Sequence, residues 1–186
     1  MRIFLAFIVT CVIGNTAAQV RYHQSGETNT TIAGTSTLHD WSMTSRTASY
    51  DVVFDVSEAG VPTAIRALNF AIDCETLKSG HDALDRNAYS TLNTDTFKKI
   101  TFEMTSGRVT SQQIMCTGNL TIMGSTKQVS ITAQFQTLPS GDLSCTATHK
   151  LRMSDFGVDP PVFMFGTIRT GDEITIAFEV TLKQRL

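Results

Sequence analysis

Several kinds of chemistry are missing from this sequence. It has no CxxC pair, and none of His23, His39, His81 and His149 sits at ligand spacing from a cysteine or another histidine, so neither a metal nor a cofactor is expected. There is no G-x-S-x-G elbow and no Gly-rich phosphate loop, and Ser, His and Asp occur only as scattered members of an ordinary composition. An enzyme is therefore not expected. Basic residues are outnumbered, 15 Lys and Arg against 17 Asp and Glu for a net charge of −2, and they form no stripe that could follow a phosphate backbone, which excludes nucleic acid as a partner. Beyond the first 13 residues no apolar run approaches the roughly 20 residues of a membrane-spanning helix. No fixed-period repeat, low-complexity tract or charge block divides the chain.

The first residues carry a different signal. Met1-Arg2, the apolar run Ile3 to Ile13 and the small residues Thr16-Ala17-Ala18 have the layout of a secretory signal, with cleavage expected after Ala18. Residues 1–18 are thus read as a signal peptide and residues 19–186 as one domain, long enough to bury a sizeable core. The expected location is exported: periplasmic or secreted. Three cysteines, Cys74, Cys116 and Cys145, would remain, an odd number that allows at most one internal disulfide. Each falls on the apolar face of an expected strand, as a small buried hydrophobe does.

Alternation of apolar and polar residues dominates the rest of the chain, the pattern of strands with one face on a core and one in water. Glu173 to Lys183 places Ile174, Ile176, Phe178, Val180 and Leu182 on one face. Lys127 to Gln136 does the same with Val129, Ile131, Ala133 and Phe135, and Lys99 to Thr105 with Ile100, Phe102 and Met104. Further strands are expected at Thr28 to Thr35, Trp41 to Arg46, Tyr50 to Val56, Leu68 to Glu75, Ile114 to Ile122 and Leu143 to Met153. Turn residues stand between them at Glu58-Ala59-Gly60, Ser106-Gly107, Met123-Gly124-Ser125 and Pro139-Ser140-Gly141-Asp142. Asp82 to Leu92 reads as a short helix with Leu84, Tyr89 and Leu92 on one face and Asp82 as its cap, or else as an irregular crossing loop. About eight strands with a single apolar face must stack as two sheets or close into a barrel, and periodicity alone does not choose.

Motif order supplies the choice. Thr117-Gly118-Asn119-Leu120-Thr121-Ile122-Met123-Gly124, with Lys99-Ile100-Thr101-Phe102 before it and Arg152-Met153-Ser154-Asp155-Phe156-Gly157-Val158 and Gly171-Asp172-Glu173-Ile174-Thr175-Ile176 after it, resembles the YceI-like family of exported, lipocalin-like polyisoprenoid-binding proteins. Lys98 stands where that family has a proline, and Gly34 to Trp41 departs from its commoner opening. The resemblance implies an all-β fold: a single antiparallel, lipocalin-like β-barrel with a lipid-binding interior and no catalytic centre.

The leading expectation is that Phe70, Ile72, Ile100, Phe102, Met104, Ile131, Phe135, His149, Ile176 and Phe178 line an apolar space for an isoprenoid, quinone or fatty-acyl chain. His39, Asp40 and Trp41 form a candidate polar end, against the alternative that Trp41 plugs the barrel while His39 and Asp40 satisfy a turn. The rival expectation is an interior filled by its own side chains, with the outer face binding another exported protein. A homodimer is compatible with either.

Overall fold

A computed structural model describes residues 18–185. The expected signal segment lies outside them, except for Ala18, the first residue of a strand. The elements in chain order are β1 (Ala18–Gln24), β2 (Asn29–Ser36), β3 (Trp41–Ser45), β4 (Ser49–Val56), β5 (Pro62–Asp73), α1 (Asp82–Thr91), β6 (Lys99–Thr110), β7 (Gln113–Ile122), β8 (Ser125–Thr137), β9 (Leu143–Arg152), β10 (Val162–Phe163) and β11 (Ile168–Gln184).

Eight long strands close into an antiparallel barrel because two of them are bent pairs. β1 and β2 follow one another along the same edge of β11, Tyr22 opposite Gln184 and Ile32 opposite Ile176. β4 and β3 follow one another along β1 and β2, Val20 opposite Phe54 and Ile32 opposite Met43. From β4 the sheet runs through β5, β6, β7, β8 and β9 to β11, every pairing antiparallel. The bend is pinned by Thr28, buried to 2% exposure, whose Oγ1 accepts from the Ala48 N–H at 2.9 Å while its own N–H donates to the Arg46 carbonyl at 3.1 Å. The inward files are those expected from alternation: Val52 and Phe54, Phe70 and Ile72, Ile100 and Phe102, Ile174, Ile176, Val180 and Leu182 are all buried.

The segment between β5 and β6 makes the one α-helix among the described residues. After a 3-10 turn at Cys74–Thr76, Lys78 bridges to Thr44 of β3, and α1 then crosses one end of the barrel. Asp82 does not cap it. His81 holds the cap position without a side-chain bond, and Asp85 reaches back instead, its Oδ1 accepting from the Ser79 N–H at 2.8 Å and the Ser79 hydroxyl at 2.7 Å. Asp82 already lies inside the first turn, so its carboxylate is one position late for the role.

A second expectation is corrected at Ser106-Gly107, which is not a turn. β6 continues to Thr110 and the hairpin turns at Ser111-Gln112, while Met104 and Ser106 bracket a register shift against β7. Gly107 serves close packing at this bulge, since a Cβ there would stand 2.7 Å from Ile65 Cγ2. The Met123-Gly124 turn is as expected, with positive φ at both residues, 50° and 75°, the conformation of a two-residue hairpin loop whose twist matches its strands.

Gly118 of β7 is crowded most severely: a Cβ would meet the Glu103 carbonyl oxygen at 2.4 Å and Phe102 Cζ at 2.5 Å. Gly118→Ala is expected to destabilise the barrel by about 1–3 kcal/mol, the usual cost of forcing a methyl into a packed interior. The midpoint of a denaturant melt measures it, and an unchanged midpoint would refute the packing described here.

Candidate functional site

The inward files converge without filling the barrel. Two apolar cavities of ≈ 110 Å³ each lie along its interior. The first, a barrel chamber, is walled by strands alone, among them Val52 and Phe54 of β4, Leu68, Phe70 and Ile72 of β5, Ile131 and Ala133 of β8, and Ile176 and Phe178 of β11. The second, a helix chamber, lies under α1, with Leu84, Ala88 and Leu92 facing Trp41, Met43, Ile122, Leu151 and Phe156. Ile32 and Ile100 line both, so the chambers abut at these two side chains. Each is of the order of the ~150 Å³ apolar cavity known to stay dry and admit benzene, a space for a slender chain rather than a bulky body.

Aromatic rings build the waist of the barrel chamber. Tyr50 is paired with Phe70 across β4 and β5, their ring centroids 5.1 Å apart, and Phe70 meets Phe178 edge to face at 5.4 Å. Polar groups in the wall are few and neutral. Burial pushes the Tyr50 phenol up to about 12, and Thr30 lies close enough to offset part of that rise. Neither the Tyr50 hydroxyl nor Thr30 Oγ1 has a hydrogen-bond partner, although both are buried. Burial also pushes the Cys116 and Cys145 thiols up to about 11 and about 12, and holds His149 below its ordinary value of 6.5. Among the lining residues of either chamber there is no Lys, Arg, Asp or Glu.

Of the residues expected to line the interior, Phe70, Ile72, Ile100, Phe102, Ile131, His149, Ile176 and Phe178 line the barrel chamber. Phe135 and Met104 line neither. Phe135 is buried but sits toward the barrel end, its N–H bonded to the Gln112 carbonyl of the β6–β7 turn, and Met104 is half-buried at the bulge. The candidate polar end comes apart. His39 and Asp40 are exposed in the β2–β3 turn, the His39 Nδ1 donating to the Asp40 carbonyl at 2.8 Å, as the turn-satisfying alternative requires. Trp41 enters the wall of the helix chamber, its Nε1 donating to the Thr35 carbonyl at 3.2 Å and its ring lying flat on Gly34, where a Cβ would stand 2.5 Å from Cζ2. Cys74, Cys116 and Cys145 are all free and buried.

Exposed apolar side chains gather at the helix-chamber end. Phe163 and Pro161 line that chamber, and the adjoining Met164 and Phe165 are exposed, Phe165 fully so, both at positive φ. The Thr37 hydroxyl ties this loop to the β2–β3 turn, donating to the Thr167 carbonyl at 3.1 Å and accepting from the Arg169 N–H at 3.1 Å. Exposed Leu38 is the next residue.

Residues 16–182 match the model of the YceI-like domain. Three solved structures share the fold at identities too low to show more. Burkholderia cenocepacia BcnA aligns at a TM-score of 0.68 and 14% identity, over 83% of this chain and 95% of that one. A polyisoprenoid binding domain from Saccharophagus degradans, implicated in plant cell wall breakdown, aligns at 0.64 and 11%, over 89% and 99%. The Campylobacter jejuni YCEI protein aligns at 0.58 and 18%, over 74% and 81%. No curated protein sequence matches the chain.

Two measurements check the chemistry of the wall. The raised thiols Cys116 and Cys145 are expected to resist iodoacetate at pH 8 in the native protein and to react once denaturant is added, read by intact mass; rapid native labelling would place them in water. His149, whose folded value lies below its unfolded one, binds its proton more readily unfolded, so its contribution to stability is present above pH 6.5 and is lost as pH falls through that value toward the folded one. His149→Leu is expected to remove this part of the pH dependence of the melting temperature; an unaltered profile would contradict the burial of the ring.

Proposed function

From the premise that the chain belongs to the YceI-like family, we propose that it binds one slender hydrophobic or amphiphilic molecule, an isoprenoid, quinone or fatty-acyl chain, threaded through the barrel from the helix chamber into the barrel chamber. The observation that carries this reading is the pair of apolar cavities that abut at Ile32 and Ile100. A space walled almost wholly by apolar side chains holds water poorly, and a hydrocarbon chain entering it leaves water while displacing little that is well bonded. Each methylene so buried contributes about 0.8 kcal/mol, so roughly ten of them supply about 8 kcal/mol gross, against which association and chain ordering cost at least about 4 kcal/mol. Micromolar or tighter binding therefore needs a chain that occupies both chambers. The polyisoprenoid binding ascribed to the Saccharophagus degradans domain supports the same ligand class.

The role requires uptake and release alone. The segment from β10 to Gly166, with Val162, Met164 and Phe165 exposed beside the helix chamber, is the natural edge over which a chain would pass. The proposal includes the exported setting expected from residues 1–18: a soluble barrel that takes a lipid-like molecule out of water and holds it. A self-filled barrel is disfavoured by the two open chambers.

Filling the space tests the reading. Ala147 lines the barrel chamber and is paired with Phe178. Ala147→Phe is expected to keep the fold and lower the amount of polyprenol retained after gel filtration at least tenfold, quantified by extraction and mass spectrometry. Equal retention by the variant, or no retention by the unaltered protein, would overturn the proposal.

A further inference from the structure

Thr30 and Tyr50 are inward residues that the hydrocarbon-binding role does not use. A passage for an alkyl or prenyl chain needs no hydroxyl, yet two are set into its wall. Thr30 stands opposite Phe178 on the neighbouring strand, and Tyr50 stands opposite Phe70, so they border the waist where the three aromatic rings meet. Both oxygen atoms are buried; the two hydroxyls neighbour one another, Thr30 easing the burial of the phenol, but they do not reach hydrogen-bonding geometry with each other or with any other described residue. Buried hydroxyls in folded proteins are almost always hydrogen-bonded, because an unbonded one has given up water for nothing. Elsewhere in this barrel the rule is kept: the inward hydroxyl of Ser45 bonds Thr76 at 2.7 Å, and that of Tyr22 accepts from Gln184 at 3.1 Å. The two exceptions share one chamber.

We propose that Thr30 and Tyr50 form a headgroup site within the barrel chamber that receives one neutral oxygen function, a carbonyl or a hydroxyl, carried by the bound chain. This rests on the chain-binding reading given above and narrows its ligand. A carbonyl oxygen has two lone pairs and can accept from both hydroxyls, while the chain attached to it covers the apolar wall. A single water would satisfy the hydroxyls and leave that wall bare. Charge decides between headgroups. Among the described residues no Lys or Arg lines either chamber, so a carboxylate or phosphate would be buried without a counter-ion, which is far more costly than burying a ketone or alcohol. His149, in the same wall, is held neutral by burial and offers no compensating charge near neutral pH. Tyr50, likewise, stays protonated and able to donate.

The test uses three chains of one prenyl length: a ketone such as farnesylacetone, the hydrocarbon of the same skeleton, and the corresponding carboxylic acid. Each is offered in competition to the full-length mature protein at pH 8, and the protein-bound fraction is extracted after gel filtration and quantified. The expected order is ketone over hydrocarbon by at least tenfold, with the acid below the ketone. Tyr50→Phe and Thr30→Val are each expected to lower the ketone-to-hydrocarbon ratio severalfold, and the double variant to bring it to about one, with an unchanged far-UV circular dichroism spectrum as the control for an intact barrel. A wild-type ratio of one, or a double variant that keeps the wild-type ratio, overturns the headgroup site while leaving the chain-binding role standing. If the unaltered protein retains none of the three, both fall together. Melting of the ligand-free double variant at or above the wild-type temperature is a second expected result, because the variant no longer buries two unbonded hydroxyls; a marked drop would mean that they are bonded within the protein and contradict the site.

Discussion

The pairing of β11 with both β1 and β2 turns a one-faced sheet into an enclosure. β11 is the longest strand, and its N-terminal part holds β2 from Gly34 to Asn29 while its C-terminal part holds β1 at Tyr22, His23 and Gln24. On its other edge it holds β9 along ten residues, from Glu173 opposite Arg152 to Leu182 opposite Leu143. Once those edges are joined, no inward side chain can turn to water, and the interior takes its character from whichever residues alternate inward. Here those are mostly branched aliphatics and phenylalanines, too few to occupy the space, which leaves two apolar chambers and not a solid core.

Dryness governs the chemistry of everything in that wall. It holds the Tyr50 phenol and the Cys116 and Cys145 thiols in their protonated forms and the His149 ring in its neutral one, so the lining carries no charge near neutral pH. Under the proposed role, discrimination among ligands falls to shape and to single hydrogen bonds. The placement of α1 matters for the same reason. The helix closes an end that strands alone would leave open, and Leu84 and Leu92 of its expected apolar face become chamber wall, while Tyr89, the third residue expected there, instead donates its hydroxyl to the Glu75 and Leu77 carbonyls at 2.9 and 2.7 Å.

Much of this was legible in the residues, and the parts that were not share a cause. Alternation in β8, β9 and β11 names the inward residues directly, because a strand with period two has only two faces to choose between. β1 escapes the pattern: Val20 and Tyr22 are its only large apolar residues, set among Gln19, Arg21 and His23, and it is a strand because β4 and β11 hold it. The start of β5, from Pro62 to Ala67, is equally thin in apolar residues, with Ile65 alone to mark it. The Ser106-Gly107 pair reads as a turn because the local chemistry of a bulge and a turn is the same; only the partner strand tells them apart. The helix chamber could not be read at all, since it is assembled from α1, the β2–β3 hairpin and the stretch after β9, which are adjacent only in space. Thr30 is the instructive case. A threonine in an expected strand is unremarkable in sequence, and its meaning comes from the bond it lacks.

The central claim is that the two chambers form one passage for one chain. A crystal structure of protein purified from its native host without delipidation addresses it most directly. A single elongated stretch of electron density running from beneath α1, between Ile32 and Ile100, to the ring of Phe178 is the expected result. Ordered water in both chambers, or side chains of Ile32 and Ile100 closed against each other with nothing on either side, would contradict it.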